Sequence, residues 1–588
     1  MISPNVVEDV VKVLRVVVSI PTYATLGTLP RDRVALLSDR DGFYSVWLLD
    51  PSTRSMQRLV DEPVSVVPRV KGSVNRLVYG IDVAKGRELH KLFALDLDKG
   101  ERIEIDSPLA RVFGVAFDAS KIAFTAATEK SIDLYLARWD GSCEGLASIN
   151  AIAMVTDVSD NYVVGFGILR GDPFSYELFV YDLSKSELSV YTPKPGSVNV
   201  APVASGSRIL FESNASGESK LYLYDVESKE LKEVTFSHGD YGAYNPTHHV
   251  SFGFLEEKVW CVAVRNGESR LFLDGREIPT PRGMIAGIPA FLSNSKVVVA
   301  VSSLTHPHYV VEVDALSGAS RTLVENELPD FVRERLGEPK FVKYRSFDGL
   351  EIPMYVIESR ASPKPGKAVV YVHGGPWAEV ANEWRASIAA LVACGYHVLA
   401  PNFRGSTGYG EEFRRRIIGD PGGGDLEDVV YAKKWGVESS LAKEGEVCVF
   451  GYSYGGYATL LALGKKPSEW KCGVAGAAIA DWVEMYELSD AIFKKFIETL
   501  FAGKMELLEE RSPIKYVENV RAPLCIIQPQ NDSRTPLKPV LKYVSRLLEL
   551  GKVFELHVAP DMGHVIRTMD DAVKVLLPAL LFLKRYLG

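Results

Sequence analysis

The feature that most restricts the fold of this chain is a repeat in its first half. Seven short β-rich segments close on an aspartate, at Asp50, Asp98, Asp140, Asp182, Asp225, Asp274 and Asp314, and successive aspartates lie 40 to 49 positions apart. Each unit reads as an apolar strand, a polar hairpin, a second strand ending in the aspartate, a turn and a third strand. A period of roughly 40–50 residues with several strands per unit marks a β-propeller. Seven copies predict seven blades over residues 24–325. Two stacked β-sandwiches also use short strands, but regular spacing over seven units favours a ring. The recurring aspartate reads as a turn-former whose carboxylate accepts backbone N–H groups.

After residue 325 the pattern changes. Residues 341–358 alternate as a hairpin about Asp348-Gly349. Apolar runs at 368–372, 397–401, 447–450, 474–478, 524–528 and 554–558 then alternate with helical stretches, and a last helix is predicted over 570–586. Short, continuous apolar strands are what a parallel sheet covered on both faces requires. A chain of 588 residues is too long for one core, and the expected architecture is two-domain: a β-propeller over 24–325 and an α/β domain over 326–588. Residues 1–23 form a separate amphipathic helix, with Val7, Val10, Val11, Leu14, Val17 and Val18 on one face and Ser3-Pro4 as its cap and first turn.

The second domain carries the chemistry. Gly451-Tyr452-Ser453-Tyr454-Gly455-Gly456 lies between an apolar strand and a helix-compatible run. Strand, G-x-S-x-G, helix is the nucleophile elbow of α/β-hydrolases. The turn is so tight that the residues two positions either side of Ser453 must be nearly free of side chain. It lifts the Ser453 hydroxyl above the sheet and aims the Tyr454 N–H, at a helix start, where an oxyanion would form.

The base must follow the serine, in the order Ser, Asp, His. Of the four histidines in this half, His397 and His557 fall within apolar strands, as buried and satisfied imidazoles, and His373 precedes the elbow. His564, in a loop after the last strand, is the base. Asp532, just past the strand at 524–528, is the carboxylate that orients it; Asp561, three residues before His564, reads as a loop-shaping rival. Val372-His373-Gly374-Gly375-Pro376 resembles the oxyanion loop of esterases. Pro376 has no N–H, so the second donor is Gly375 or Gly374, with Gly375 favoured, and His373 holds the loop.

Composition excludes other classes. The chain is 47% hydrophobic and 24% charged with net charge −8, which offers no basic footprint for nucleic acid. No apolar run approaches the roughly 20 residues that span a bilayer, and Glu8, Asp9, Lys12 and Arg15 break the amino-terminal stretch as no signal peptide allows. Six scattered cysteines without C-x-x-C suggest buried free thiols and a reducing, cytoplasmic compartment. Glutamine occurs only three times, a composition that thermophile proteins share. His248-His249 reads as a loop pair without a third ligand, Asn214-Ala215-Ser216 as an unused sequon, and Gly422-Gly423-Gly424 as no phosphate loop. No metal and no cofactor is expected.

Five motifs in order carry a resemblance: 373–376, 402–410, the elbow, 530–536, and Asp561-Met562-Gly563-His564. Behind a seven-fold β repeat, this set is similar to the prolyl oligopeptidase family of serine peptidases, on its acylaminoacyl-peptidase branch. The resemblance implies that the amino-terminal helix packs on the hydrolase domain. It also implies that the propeller roofs an internal cavity that admits short peptides. Arg534 would bind a substrate carbonyl, and Ile479, Trp482, Phe493, Phe496 and Ile497 would form the apolar pocket at the cleaved bond, although on helical spacing the phenylalanines and Ile497 fit ordinary core equally well. Relatives that anchor a free amino terminus use paired glutamates; Glu256-Glu257 reads as solvated charge, which favours short peptides with a blocked amino terminus. The expected reaction is acyl transfer to water through Ser453. The rivals are a carboxylesterase acting on small esters, a different oligopeptidase or dipeptidyl-peptidase specificity, and a binding protein with a vestigial hydrolase half. Self-association as a homo-oligomer is left open.

Overall fold

The structure, a computed structural model, describes every residue except 1, 72, 238–240 and 242–243. Strands from Tyr23–Leu29 to Ser320–Val324 build five four-stranded antiparallel sheets and one eight-stranded sheet. The eight-stranded sheet joins the first four strands to the last four through one parallel contact, Thr25 beside Gly287. Gly287 has φ +86°, and a Cβ there would lie 2.0 Å from the Thr25 carbonyl oxygen, so only glycine closes this seam.

The repeat contains one strand more than its sequence suggests. The aspartate-ending segments Ser45–Asp50, Glu177–Asp182, Lys220–Asp225 and His306–Asp314 are each the third strand of a four-strand unit, two of these units being joined in the eight-stranded sheet. The overlooked strand is the first of each unit, such as Val64–Val66 or Arg111–Phe117, which packs on neighbouring sheets. These strands are short or carry glycine and charge, so they lack the clean alternation that reveals a half-buried strand. The aspartates do form turns: Asp50 Oδ1 accepts from the Ser52 N–H at 2.8 Å and Asp182 Oδ1 from Ser184 at 3.0 Å. In the second unit Asp96, not Asp98, takes this role, accepting from the Asp98 and Lys99 amides at 3.0 and 3.1 Å.

The remainder forms an eight-stranded sheet in the order Lys340–Arg345, Glu351–Ile357, His397–Pro401, Gly366–Val372, Ala442–Tyr452, Cys472–Gly476, Leu524–Pro529, Phe554–Ala559. The first three strands pair antiparallel and the others parallel. Successive strand residues face opposite helical layers: Val370, Val449 and Ile526 pack in one cluster, Val369, Cys448 and Cys525 in the other. The helix Pro4–Ser19 buries Val10, Val13, Leu14 and Val17 against Ala386–Ala393 and Met569–Tyr586. Its buried stripe runs through Val13, whereas Val7, Val11 and Val18 of the predicted face are half-buried. Pro4 opens the helix but Ser3 makes no side-chain cap. Asp9 pairs with Arg335 at 2.9 Å. Among the described residues no helix is long and apolar enough to cross a membrane.

Candidate active site

The strand Ala442–Tyr452 runs directly into the helix Tyr454–Lys465, and Ser453 occupies the joint with φ 62° and ψ −122°. A non-glycine residue at positive φ is strained and persists only where its surroundings hold it. Here the holding is visible. The Ser453 N–H donates to the Gly476 carbonyl at 2.9 Å. A Cβ on Gly451 would lie 2.2 Å from the Gly455 oxygen, and one on Gly455 would lie 2.0 Å from the Val372 oxygen. Both glycines are therefore demanded by close approach of backbone.

Ser453 Oγ lies 2.9 Å from His564 Nε2, and His564 Nδ1 lies 2.8 Å from Asp532 Oδ2. The pair is 7% and 6% exposed. Asp532 is itself oriented: its Oδ1 accepts from the Arg534 and Thr535 amides at 2.9 and 2.8 Å, and the Thr535 hydroxyl donates to Oδ2 at 2.8 Å. The Tyr452 hydroxyl donates to the His564 carbonyl at 2.9 Å, and the Asn531 N–H to that of Met562, also at 2.9 Å. Asp561 points elsewhere, toward Lys85 at 3.1 Å. Two local loops and one elbow thus bring together three residues far apart in sequence.

Among the described residues neither the Tyr454 nor the Gly375 amide donates a hydrogen bond to the chain. Gly374 runs against the nucleophile, where a Cβ would lie 3.2 Å from Ser453 Cβ. The loop is anchored by His373, whose Nδ1 is 2.7 Å from the Gly374 carbonyl and whose Nε2 is 2.8 Å from Ser406 Oγ. Its ring stacks on Phe403, and burial pushes its pKa down to about 4, so it is neutral. Behind Tyr454, Asp425 accepts from the phenol at 2.7 Å, with burial pushing its carboxyl up to about 7.

The first half of the chain also reaches the site, which the sequence did not signal. The hairpin between Arg76–Asp82 and His90–Asp96 lies on both loops. Gly86 meets Gly563, where a Cβ on the latter would lie 1.9 Å from the Gly86 oxygen. Asn531 donates to the Lys85 carbonyl at 2.9 Å and Ser533 to that of Arg87 at 3.1 Å. Arg534, expected at a substrate carbonyl, gives Nε and Nη2 to Glu88 at 2.7 and 2.5 Å. Glu88 also pairs with Arg111, which reaches Asp490 at 2.8 Å, while Arg567 lies 3.2 Å from Asp82. Burial alone would raise the Glu88 carboxyl, but Arg534, Arg111 and Arg567 hold it well below the usual range. No local motif links residues 446 positions apart.

The apolar residues divide. Phe493 lies under the Arg111 and Arg534 guanidinium groups at 5.0 and 5.8 Å, and Phe496 meets Trp377 edge-on at 5.6 Å. Trp482 and Ile497 are fully buried and Ile479 nearly so, all within one core cluster. Trp482 packs against Tyr457 and Phe501 inside that cluster. His248 and His249 begin the strand His248–Leu255, and buried His249 faces Glu212 at 3.2 Å; they are not a loop pair. His397 is buried, with both ring nitrogens partnered. His557 instead sits 41% exposed on the edge strand. There it forms, with Cys525 and Glu555, the one group among the described residues whose donor atoms, all within 4.8 Å, would suit a metal; Glu555 is already paired with Arg585 at 2.5 Å.

Comparison with known proteins gives this geometry a context. A family model for the acylamino-acid-releasing enzyme-like N-terminal domain matches residues 34–311, and one for the prolyl oligopeptidase family matches residues 382–588. A dipeptidyl aminopeptidase BIII of Pseudoxanthomonas mexicana is 32% identical over 400 residues, covering 64% of this chain and 57% of that protein. The acylamino-acid-releasing enzyme of Sus scrofa is 26% identical over 264 residues, 43% of this chain and 36% of that one. The chain thus spans about half or less of the length of these curated relatives. A solved Mycobacterium tuberculosis puromycin-hydrolyzing peptidase superposes with TM-score 0.81 at 18% identity, covering 98% of this chain and 96% of that one, a likeness of fold.

Proposed function

We propose that this chain, which belongs to the prolyl oligopeptidase family, is a serine peptidase that cleaves short peptides with a blocked amino terminus and releases the N-acylated amino acid. The observation that carries the reading is the unbroken line from Ser453 through His564 to Asp532, at 2.9 and 2.8 Å, beside two unused backbone amides. In this reaction Ser453 Oγ attacks the peptide carbonyl as His564 Nε2 takes its proton. The carbonyl oxygen becomes an oxyanion between the Tyr454 and Gly375 N–H groups. Collapse breaks the C–N bond, His564 returns the proton to the leaving amine, and an ester to Ser453 remains. Water, deprotonated by His564, then repeats the attack and frees the acid. Asp532 holds the tautomer and stabilises the imidazolium.

The preference for blocked substrates rests on Glu88. A free ammonium needs an uncommitted carboxylate, and the one that the first domain brings beside Arg534 is already met by three guanidinium groups. Arg534 keeps Nη1 outside that pair for a substrate carbonyl, and Phe493 and Phe496 supply the apolar wall for the side chain at the cleaved bond. Domain limits of 24–325 and 326–588, with residues 1–23 on the second domain, belong to the same reading. So do seven blades: parting the eight-stranded sheet at its single parallel contact leaves seven sheets of four strands. Buried thiols at Cys394, Cys448, Cys472 and Cys525 support a reducing, cytoplasmic setting.

The test is a paired assay of one peptide with acetylated and with free amino terminus, beside a short nitrophenyl ester. Faster cleavage of the acetylated peptide is expected. Faster cleavage of the free peptide would instead favour a dipeptidyl aminopeptidase specificity, as named for the Pseudoxanthomonas relative. Turnover of the ester alone would leave an esterase.

A further inference from the structure

A cavity of about 340 Å³ lies against the Glu88 network, lined by Val66, Glu88, His90, Arg111, Phe113 and Arg534. His90 is 2% exposed. Its Nδ1 accepts the Val112 N–H at 3.0 Å, so the neutral ring carries its proton on Nε2. Among the described residues, Nε2 is buried and has no partner. Burial, with Arg567 beside it, pushes the pKa of this ring down to about 4, so the Nε2–H persists at neutral pH. A buried donor without an acceptor is uncommon in folded chains, and in a residue that lines a cavity it points to an acceptor that arrives with a ligand.

The charge around the cavity tells which acceptor. Arg111, Arg534 and Arg567 are balanced by Asp82, Glu88 and Asp490, three cations against three anions. A carboxylate would enter a cluster that has no charge left to meet it, whereas a neutral carbonyl adds none. The cavity adjoins Arg534, whose backbone N–H binds Asp532, so it lies next to the catalytic loop. It has room for a whole amino-acid residue, and Val66 and Phe113 give it apolar walls.

We propose that this cavity is a substrate subsite, and that His90 Nε2–H donates to the peptide carbonyl one residue further from the cleaved bond than the carbonyl Arg534 takes. The inference rests on the peptidase reading above and deepens it. The enzyme then handles blocked peptides with an extra residue before the cleaved bond, and His90 sets how well that residue is held. His90 touches substrate away from the reacting atoms, so it governs binding and leaves the chemical step alone.

The test compares acetyl-Phe-p-nitroanilide, too short to reach His90, with acetyl-Ala-Phe-p-nitroanilide, using the full chain and its His90→Leu and His90→Gln variants. For His90→Leu the expected result is a loss of about 10-fold in kcat/KM on the longer substrate, carried by KM. Turnover of the shorter one is unchanged, and His90→Gln, which keeps a donor, recovers most of the loss. Equal losses on both substrates would mean that the ring only supports the fold, and no loss on either would mean that nothing binds there; both overturn the subsite. A wild-type chain that cuts neither substrate removes the peptidase reading itself, and the subsite with it.

Discussion

At the scale of single residues, the site separates groups that move protons from groups that hold them in place. Replacing Ser453 by alanine removes the attacking oxygen and should lower kcat by roughly 10⁵–10⁶-fold, with an unchanged melting curve; residual turnover near wild type would remove Ser453 from the mechanism. Asp532→Asn would present an amide N–H to His564 Nδ1, favouring the wrong tautomer, for a loss of about 10⁴-fold in kcat. Glu379 makes a different prediction. It lies mostly buried in the loop after Gly375, with Oε1 3.7 Å from His248 Nε2 and, among the described residues, Oε2 without a partner, and burial pushes its pKa from 4.5 up to about 7. The folded state therefore holds this proton more tightly than the unfolded chain does. The associated stability is complete below pH 4.5 and is lost as pH rises through about 7, on the order of 3 kcal/mol in all. Glu379→Gln should flatten that part of the profile, read by urea unfolding at pH 5 and pH 8. An identical slope in the variant would assign it to other groups.

At the scale of elements, what the sequence revealed was local and what it hid was not. The elbow was legible because a tight turn imposes glycine at fixed offsets, and Asp532 and His564 because each follows a recognisable strand. The repeat was legible through its turn-forming aspartates, yet one strand per sheet escaped, since Val64–Val66 is three residues long and Arg111–Phe117 carries Arg111 and Gly114. The apolar pocket was half legible: helical spacing could not separate Phe493 from Ile497, which differ only in what packs above them. Least legible was the hairpin around Gly86, because nothing in its composition speaks of a loop 446 residues away. Its contact with Gly563 leads to a prediction. Gly86→Ala would place a Cβ 2.2 Å from the Gly563 nitrogen and must push the hairpin off the His564 loop. A displacement of about 1 Å near a catalytic group can cost about 10²-fold, so kcat should fall between 10- and 100-fold while circular dichroism stays the same. Unaltered kcat would mean that the loop holds His564 without help.

At the scale of the whole molecule, the two halves are joined at the active site through charge. Glu88 comes from the first half, Arg534 and Arg567 from the second, and Arg111 reaches back from the first to Asp490 in the second. Taking these groups out of water is costly, and mutual pairing repays it only while every member is present. Glu88→Ala would leave buried Arg111 and half-buried Arg534 with one counter-charge fewer. The expected cost is about 3–5 kcal/mol, concentrated at the contact between the halves. Hydrogen exchange should then rise first in the 82–90 hairpin and the loops at 530–536 and 561–564, before either core. The pH dependence has the opposite sign to that of Glu379. Because the folded pKa of Glu88 lies below its unfolded value, its contribution is complete above about pH 4.5 and is lost only as pH falls toward the depressed folded value. Acid should therefore loosen the contact well below pH 4.5, and Glu88→Gln should loosen it at neutral pH and abolish that acid step. If the variant kept wild-type exchange in all three segments, the network would be a passive neighbour of the site, and the hairpin contacts at Lys85, Gly86 and Arg87 would have to hold the halves together.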